Sequence, residues 1–320
     1  MYSKALLLTH KDDRHADAVS AELSSRGIDY FRVNTEEIIE EYGLNFYSSL
    51  GLFTITSPTR KETIDETWVI WNRRVSDPVI PQMKKDLEQI VYNETLKTWE
   101  GLLFSANGKV VNRPWAENAA NNKINNLLFA KSYGIKIPET LVTNIPGEFE
   151  LFYRATKSDN KKICHKLQKV AIVERDGEDF VTYTNLVGDD VLEDTSSIRS
   201  HPNLFQRYID KLYEVRVTAL EDMVTAIAIH SQDSELSKVD FRRYDFENVK
   251  YEKIELPSKI DQFCRDLLRK HSLSFGAFDF IVNPQGEYYF LELNPNGQWL
   301  WLEHMSKHNL TKPFVDNLLK

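Results

Sequence analysis

The 320-residue chain is poor in cysteine, holding only Cys164 and Cys264. Neither sits in a CxxC pair, so the sequence encodes no zinc knuckle and no disulfide framework. A basic excess is missing too. Forty Lys and Arg stand against 48 Asp and Glu, a formal charge of −8 with a pI near 5.6. That balance lacks the field that draws in phosphate backbones, which excludes nucleic acid as the main partner. It also means that any phosphate site must gather its positive charge locally. No stretch approaches the ~20 apolar residues of a membrane span. The apolar run at residues 5–8 is too short for the core of a signal peptide. The expectation is a soluble, cytoplasmic protein with no membrane partner. What is present is ordinary for a globular chain: 42% hydrophobic and 28% charged residues, with length for about two domains at roughly 150 residues each.

The first third reads as an α/β unit. Residues 5–8 and 28–33 are strand-like, and residues 13–25 between them read as a helix stopped by Gly27. Strand, helix and strand within about 30 residues is the βαβ pattern of an open sheet. The loop after Leu8 has no glycine and is no dinucleotide fingerprint. More strands are expected at 44–47, 52–56 and 67–71, then a long helix over 81–104. A boundary falls near Asn112-Arg113-Pro114. One helix is expected over 118–133, ended by Gly134 and Pro138. Short β-type runs follow at 162–167, 170–173 and 180–184. Pro202 opens a third section with strands at 204–209, 213–220 and 225–230, a polar loop over 231–245 and a helix over 257–271. The fold class is α/β (α+β).

The chemistry is densest between Phe278 and Asn296. Two apolar runs flank Asn283-Pro284-Gln285-Gly286, which argues for a hairpin. Pairing Val282 with Glu287 sets Asp279 opposite Phe290 and, by alternation, on one face with Glu292 and Asn294. Carboxylates in apolar strands are costly unless paired or bound to metal. Three oxygen ligands on one face suit Mg²⁺. Ion pairs to Lys or Arg within the fold satisfy the same residues equally well on spacing alone.

Asp279 on one strand, followed after a hairpin by Glu292-Leu293-Asn294-Pro295-Asn296-Gly297, resembles the magnesium motif of ATP-grasp ligases. The extended run to Gln298-Trp299-Leu300-Trp301-Leu302-Glu303 resembles a narrower group, the graspetide synthetases that include microviridin ligases. Trp299 and Trp301 in this run favour packing over binding. The resemblance implies an ATP-grasp fold with an N-terminal α/β domain (1–112), a central domain (113–200) and a C-terminal domain (201–320) carrying the metal site. It also implies site residues. Asn122-Lys123 is similar to the helix whose lysine reaches the nucleotide phosphates. The run at 162–167 is similar to the strand whose lysine meets the phosphates, with Lys166 its equivalent. The chain departs from the pattern there, because Leu167-Gln168-Lys169 replaces the proline and glycine-rich loop of most members. The run at 205–211 resembles the hinge that reads adenine: Gln206, Tyr208 and Ile209 at the base, Asp210 or Lys211 toward the sugar. Arg216 resembles the arginine that supports acyl-phosphate chemistry. Asp240-Phe241-Arg242 resembles a D-aromatic-R motif beside the acceptor carboxylate, with Arg243 the alternative cation. Arg73 and Arg74 end a strand at the carboxyl side, where open sheets place ligands, and are candidates to meet a peptide.

The resemblance thus implies ATP and two Mg²⁺ ions as cofactors, a ribosomal precursor peptide of leader plus core as partner, and a homodimer. The activity it implies is cross-linking of Asp or Glu side chains to Ser, Thr or Lys through acylphosphates. A carboxylate–amine ligase acting on a small molecule, and a nucleotide-binding protein without catalysis, are the alternatives.

Overall fold

In the computed structural model, which describes residues 1–169, 172–175 and 178–320, the chain begins as expected. β1 (Lys4–Thr9), α1 (Arg14–Ser25) and β2 (Asp29–Asn34) form a parallel βαβ unit. Asp13 caps α1 by accepting from the His15 amide, the usual stop for an orphan helix N–H. An antiparallel sheet of β3 (Gly43–Tyr47), β4 (Leu52–Thr56) and β5 (Lys61–Ile64) intervenes. β6 (Trp68–Asn72) then returns beside β1. The helix expected over 81–104 is α2, Lys85–Ser105, and β7 (Val110–Val111) completes a parallel sheet of order β2-β1-β6-β7.

The helix expected over 118–133 is two helices, α3 (Pro114–Ala120) and α4 (Lys123–Ser132). Asn122 breaks it: its backbone is extended and its side chain accepts from the Asn125 amide, starting α4 afresh. Both helices pack on the C-terminal sheet, where Ala116, Ala120, Leu127 and Ala130 join one core with Val215, Phe278 and Phe290.

β8 (Thr140–Thr143), α5 (Pro146–Ser158), β9 (Ile163–Lys166), the hairpin β10 (Ile172–Arg175) and β11 (Glu178–Val181), β12 (Asn185–Leu186) and β13 (Asn203–Arg207) follow. Of the strand expected over 170–173, residues 170 and 171 lie outside the described residues. β13, which begins beyond Pro202, pairs with β8 and β9 in the central sheet. The C-terminal sheet has the order β16-β15-β14-β17-β18, all antiparallel, from β14 (Tyr213–Leu220), β15 (Met223–Ile229), β16 (Tyr251–Ile254), β17 (Phe275–Val282) and β18 (Tyr288–Asn294). α6 (Ser258–Lys270) covers one face with Phe263, Cys264 and Leu267. α7 (Leu300–Ser306) and α8 (Thr311–Leu318) carry the chain back to the N-terminal unit, where Phe314 packs on Trp71 at 5.1 Å. Among the described residues, no helix is long and apolar enough to cross a membrane.

The register of β17 and β18 differs from the expected one. Val282 faces Tyr288, Phe280 faces Phe290, and a bulge then sets Asp279 opposite Glu292. Two local features cause the shift. Asn283 Oδ1 accepts from the Gln285 and Glu287 amides, so the turn runs one residue longer than the spacing suggested. Leu291 is then left as the extra residue of the bulge, which bends the strand.

Candidate active site

Asp279, Glu292 and Asn294 converge across the β17–β18 pair. Asn294 Nδ2 lies 3.2 Å from Asp279 Oδ2 and 3.3 Å from Glu292 Oε1. Cations answer both carboxylates. Arg216 on β14, directly across from Asp279, holds it through Nη1 at 2.9 and 2.8 Å. Lys123, the first residue of α4, donates to Glu292 at 2.5 Å. Burial pushes the Asp279 carboxyl up, with Arg216 opposing and the Glu292 charge adding to the rise. Glu292 is also penalised by burial, yet the Lys123 and Lys166 ammonium groups, with Arg242, hold it well below the usual carboxylate range. Like charges facing each other across a strand pair separate in this way when one has the stronger cationic support.

Asp279, Glu292 and Lys123 line one end of a cleft between the central and C-terminal sheets. Lys166, at the end of β9, and Gln206 and Arg207, on β13, line the central side. Tyr208, Ile209 and Lys211 in the connection to β14 line the back, and Asp240, Phe241 and Arg242 the far wall. The cleft therefore gathers the positive charge that the whole chain lacks. Four of its five cations are already matched: Lys123 by Glu292, Arg207 by Glu139 and Asp159, Lys211 by Glu214, and Arg242 by Asp240. Among the described residues Lys166 is the lining cation with no ion pair. Burial lowers its pKa, opposed by the charges of Cys164 and Glu292. Arg242 is set rigidly, donating from Nε and Nη2 to Asp240 at 2.9 and 2.5 Å, while Asp240 also accepts from the Thr184 amide. Burial disfavours the Asp240 carboxylate, but Arg242 more than offsets that and lowers its pKa.

The candidate residues from the sequence are not all at the cleft. Lys123, Lys166, Gln206, Tyr208, Ile209, Lys211, Arg242, Asp279 and Glu292 line it. Arg216 and Asn294 sit just behind, bonded to Asp279. Asp210 is exposed and paired with Lys161 at 3.6 Å, away from the lining, so it does not approach a sugar there. Lys211 lines the cleft with its ammonium tied to Glu214 at 2.6 Å and to the Val239 carbonyl. Arg74 and Arg243 are exposed, and Arg243 donates to Asn185 at 2.7 Å. Arg73, expected to meet a substrate, is fully buried instead and donates to the Asn296 carbonyl at 2.6 Å. Two aromatic side chains of the extended run are packing residues, as favoured: Trp299 is 1% exposed against His15, Trp71 and Phe314, and Trp301 packs on Phe241 and Tyr251.

Sequence reasoning passed over Glu214, Tyr183, Thr184 and Leu291, all in the lining. Glu214 had a signal, a carboxylate in an apolar strand like Asp279; burial raises its pKa against the pull of Lys211. Tyr183 and Thr184 had none, since a loop brings them over the cleft. Among the described residues there is no cluster of three His, Cys, Asp or Glu side chains suited to a metal. The set here is two carboxylates and an amide, all hard oxygen donors once the Asn294 amide turns its oxygen inward, which fits Mg²⁺.

These features are similar to those of known proteins. The family described as MvdD pre-ATP grasp domain matches residues 4–118. No curated protein matches the chain in sequence. Among solved structures, a Chryseobacterium gregarium RiPP-associated ATP-grasp ligase, in complex with ADP and a leader and core peptide, is 27% identical with a TM-score of 0.88, covering 100% of this chain and 96% of that one. The macrocyclase MdnC of Microcystis aeruginosa MRC, bound with precursor peptide MdnA, is 24% identical with a TM-score of 0.85 over 99% of each chain. The ATP-grasp ligase PsnB, complexed with minimal precursor, Mg and ADP, is 19% identical with a TM-score of 0.78 over 98% of this chain and 97% of that one. Over its whole length the chain is thus similar to an ATP-grasp ligase associated with RiPPs and, more distantly, to a macrocyclase bound with its precursor peptide, and it resembles the graspetide synthetases of the microviridin type.

Proposed function

We propose that the protein is an ADP-forming peptide macrocyclase. It activates Asp or Glu side chains of a ribosomal precursor peptide and joins them to Ser or Thr hydroxyls or Lys amines. The observation that carries the reading is one cleft in which Asp279 and Glu292 face each other at one end, with Lys166 and a fixed Arg242 on the opposing walls.

A carboxylate resists attack because its charge repels nucleophiles and oxide leaves poorly. The peptide carboxylate oxygen first takes the γ-phosphoryl group of ATP, and ADP leaves. The hydroxyl or amine then attacks the acyl carbon, phosphate departs, and the nucleophile gives up its proton. One water is lost per link. Such transfers depend on positioning and charge neutralisation more than on protein nucleophiles. Lys166, free of ion pairs among the described residues, and Lys123 meet the phosphates. Gln206, Tyr208 and Ile209 border the base, and Lys211 with Glu214 borders the sugar. Arg242 presents a guanidinium edge to the peptide carboxylate, a bidentate match. Asp279, Glu292 and Asn294 hold Mg²⁺, which neutralises charge on the transferring phosphoryl group when bound. Arg216 favours the charged form of Asp279 against the effect of burial. The proposal includes units at 1–112, 113–200 and 201–320, two metal ions, a leader-plus-core substrate, a homodimer and a cytoplasmic location, all on the strength of the family likeness.

The test is the intact mass of a short peptide encoded beside the gene, after incubation with the protein, ATP and Mg²⁺. A loss of one water mass per link, with ADP formed, is the expected result. A mass gain instead would identify a small-molecule ligase.

A further inference from the structure

The six residues after the metal strand are held one by one, and mostly from the N-terminal third of the chain. The Asn112 side chain donates to the Pro295 carbonyl at 3.0 Å. Arg73 Nη1 donates to the carbonyls of Asn296 and Gly297 at 2.6 and 3.4 Å. Glu117 accepts from the Asn296 side chain at 2.7 Å. Arg216 Nη2 reaches the Gln298 carbonyl at 3.4 Å. His15 Nε2 accepts from the amides of both Trp299 and Leu300 at 3.0 Å. Gly297 is thereby pressed between two arginines. A Cβ built on it falls 2.8 Å from Arg216 Nη2 and 2.2 Å from the Ala277 Cβ.

Resting on the functional reading above, we propose that Arg73 and His15 are positioning residues of the metal site, acting through the 295–300 segment. The chain of contacts is short. Arg73 fixes the carbonyl side of Gly297, Gly297 limits where the Arg216 guanidinium lies, and Arg216 holds Asp279 by both oxygens. His15 fixes the amide side two residues on. Asn294, a ligand candidate, directly precedes the clamped run, so its amide orientation is set from the same segment. Neither residue lines the cleft. Both are buried, and Arg73 carries an Asp13 carboxylate at 3.6 Å that steadies its charge inside the fold. Outer residues that orient ligands in this way typically matter 10–100-fold for metal affinity.

The test is calorimetric titration of the full chain with ADP, in the absence and presence of Mg²⁺. The wild-type chain binds ADP more tightly with Mg²⁺. In Arg73→Met and His15→Phe the metal-linked gain falls by about 10–100-fold, while metal-free ADP affinity is unchanged. His15→Gln, whose amide oxygen restores the acceptor, keeps the gain; a purely structural role would not separate His15→Gln from His15→Phe in the metal-linked term alone. Undiminished linkage in folded Arg73→Met and His15→Phe overturns this inference alone. Should Arg73→Met fail to fold, the His15 pair decides. A wild-type chain that binds no ADP overturns the functional reading and this inference together.

Discussion

Replacing Glu292 with Gln keeps the volume and shape of the side chain and removes its charge. Three cations feel the loss: Lys123 at 2.5 Å, and Lys166 and Arg242 across the cleft. A pair of unit charges at 4 Å is worth about 4 kcal/mol at an effective dielectric of 20. Most of that is offset in the folded state, because the carboxylate no longer has to be stripped of water and the amide oxygen still accepts from Lys123. A net loss of about 1.5–3 kcal/mol, the worth of a charge-assisted hydrogen bond, is expected. Against a typical total of roughly 5–15 kcal/mol the variant stays folded. Its melting temperature falls by about 2–4 °C per kcal/mol. Turnover falls much further. One ligand charge disappears where the transferring phosphoryl group is neutralised, and losing one such preorganised group typically costs 10²–10³-fold. The assay is ADP release and peptide mass loss with the wild-type and Glu292→Gln chains, beside a melting curve for each. A Glu292→Gln chain that releases ADP and dehydrates peptide at the wild-type rate would refute the metal assignment.

Gly297→Ala places a methyl group 2.2 Å from the Ala277 Cβ and 2.8 Å from Arg216 Nη2. It costs about 1–3 kcal/mol in overpacking and displaces Arg216 from Asp279, so ADP release drops more steeply than thermal stability. Asp240→Asn frees the Arg242 guanidinium; the KM for peptide rises while the KM for ATP holds, as read in steady-state titrations of each substrate. Glu117 gives a pH prediction. Burial raises its pKa to about 8, with Asn296, Arg73 and Asn72 opposing. A carboxyl that stays protonated in the folded chain but ionises when unfolded contributes stability below the ordinary carboxylate range, and that stability is lost as pH climbs to about 8. Wild-type melting temperature therefore falls between neutral pH and pH about 8, and Glu117→Gln removes that slope; equal slopes in the two proteins would dismiss the buried carboxyl.

Much of this was legible in one dimension where the information is local. Asp279 and Glu292 stood out because carboxylates interrupt two apolar strands, and the cost of burying them forces cations nearby. The βαβ start was visible because the apolar runs and the Gly27 stop are neighbours in sequence. The β17–β18 register was not, because it turns on one Asn283 side chain lengthening a turn and one extra residue, Leu291, within an otherwise regular strand. Asp210 and Lys211 are adjacent and both polar; which one enters the cleft depends on Glu214 and on the Val239 carbonyl, 28 residues away from Lys211. Arg73 ends a strand at the carboxyl edge, as a ligand contact would. What places it in the interior is the loop at Asn296, 223 residues later, and no pattern within the strand records that.

The clamp on the 295–300 segment also has a kinetic side. His15 waits 284 residues for the amide of Trp299, and Arg73 waits 223 for the carbonyl of Asn296. Closing loops of that length is entropically slow relative to forming local hairpins and helices. During synthesis the parallel sheet and the central sheet emerge long before the strand that completes the carboxylate pair. The cleft is accordingly incomplete until β18 has been made, and on the proposed function partly made chains carry no finished site with which to capture ATP. Nucleotide binding thus reports the arrival of the final strands, which makes it a more demanding gauge of correct refolding than helix content.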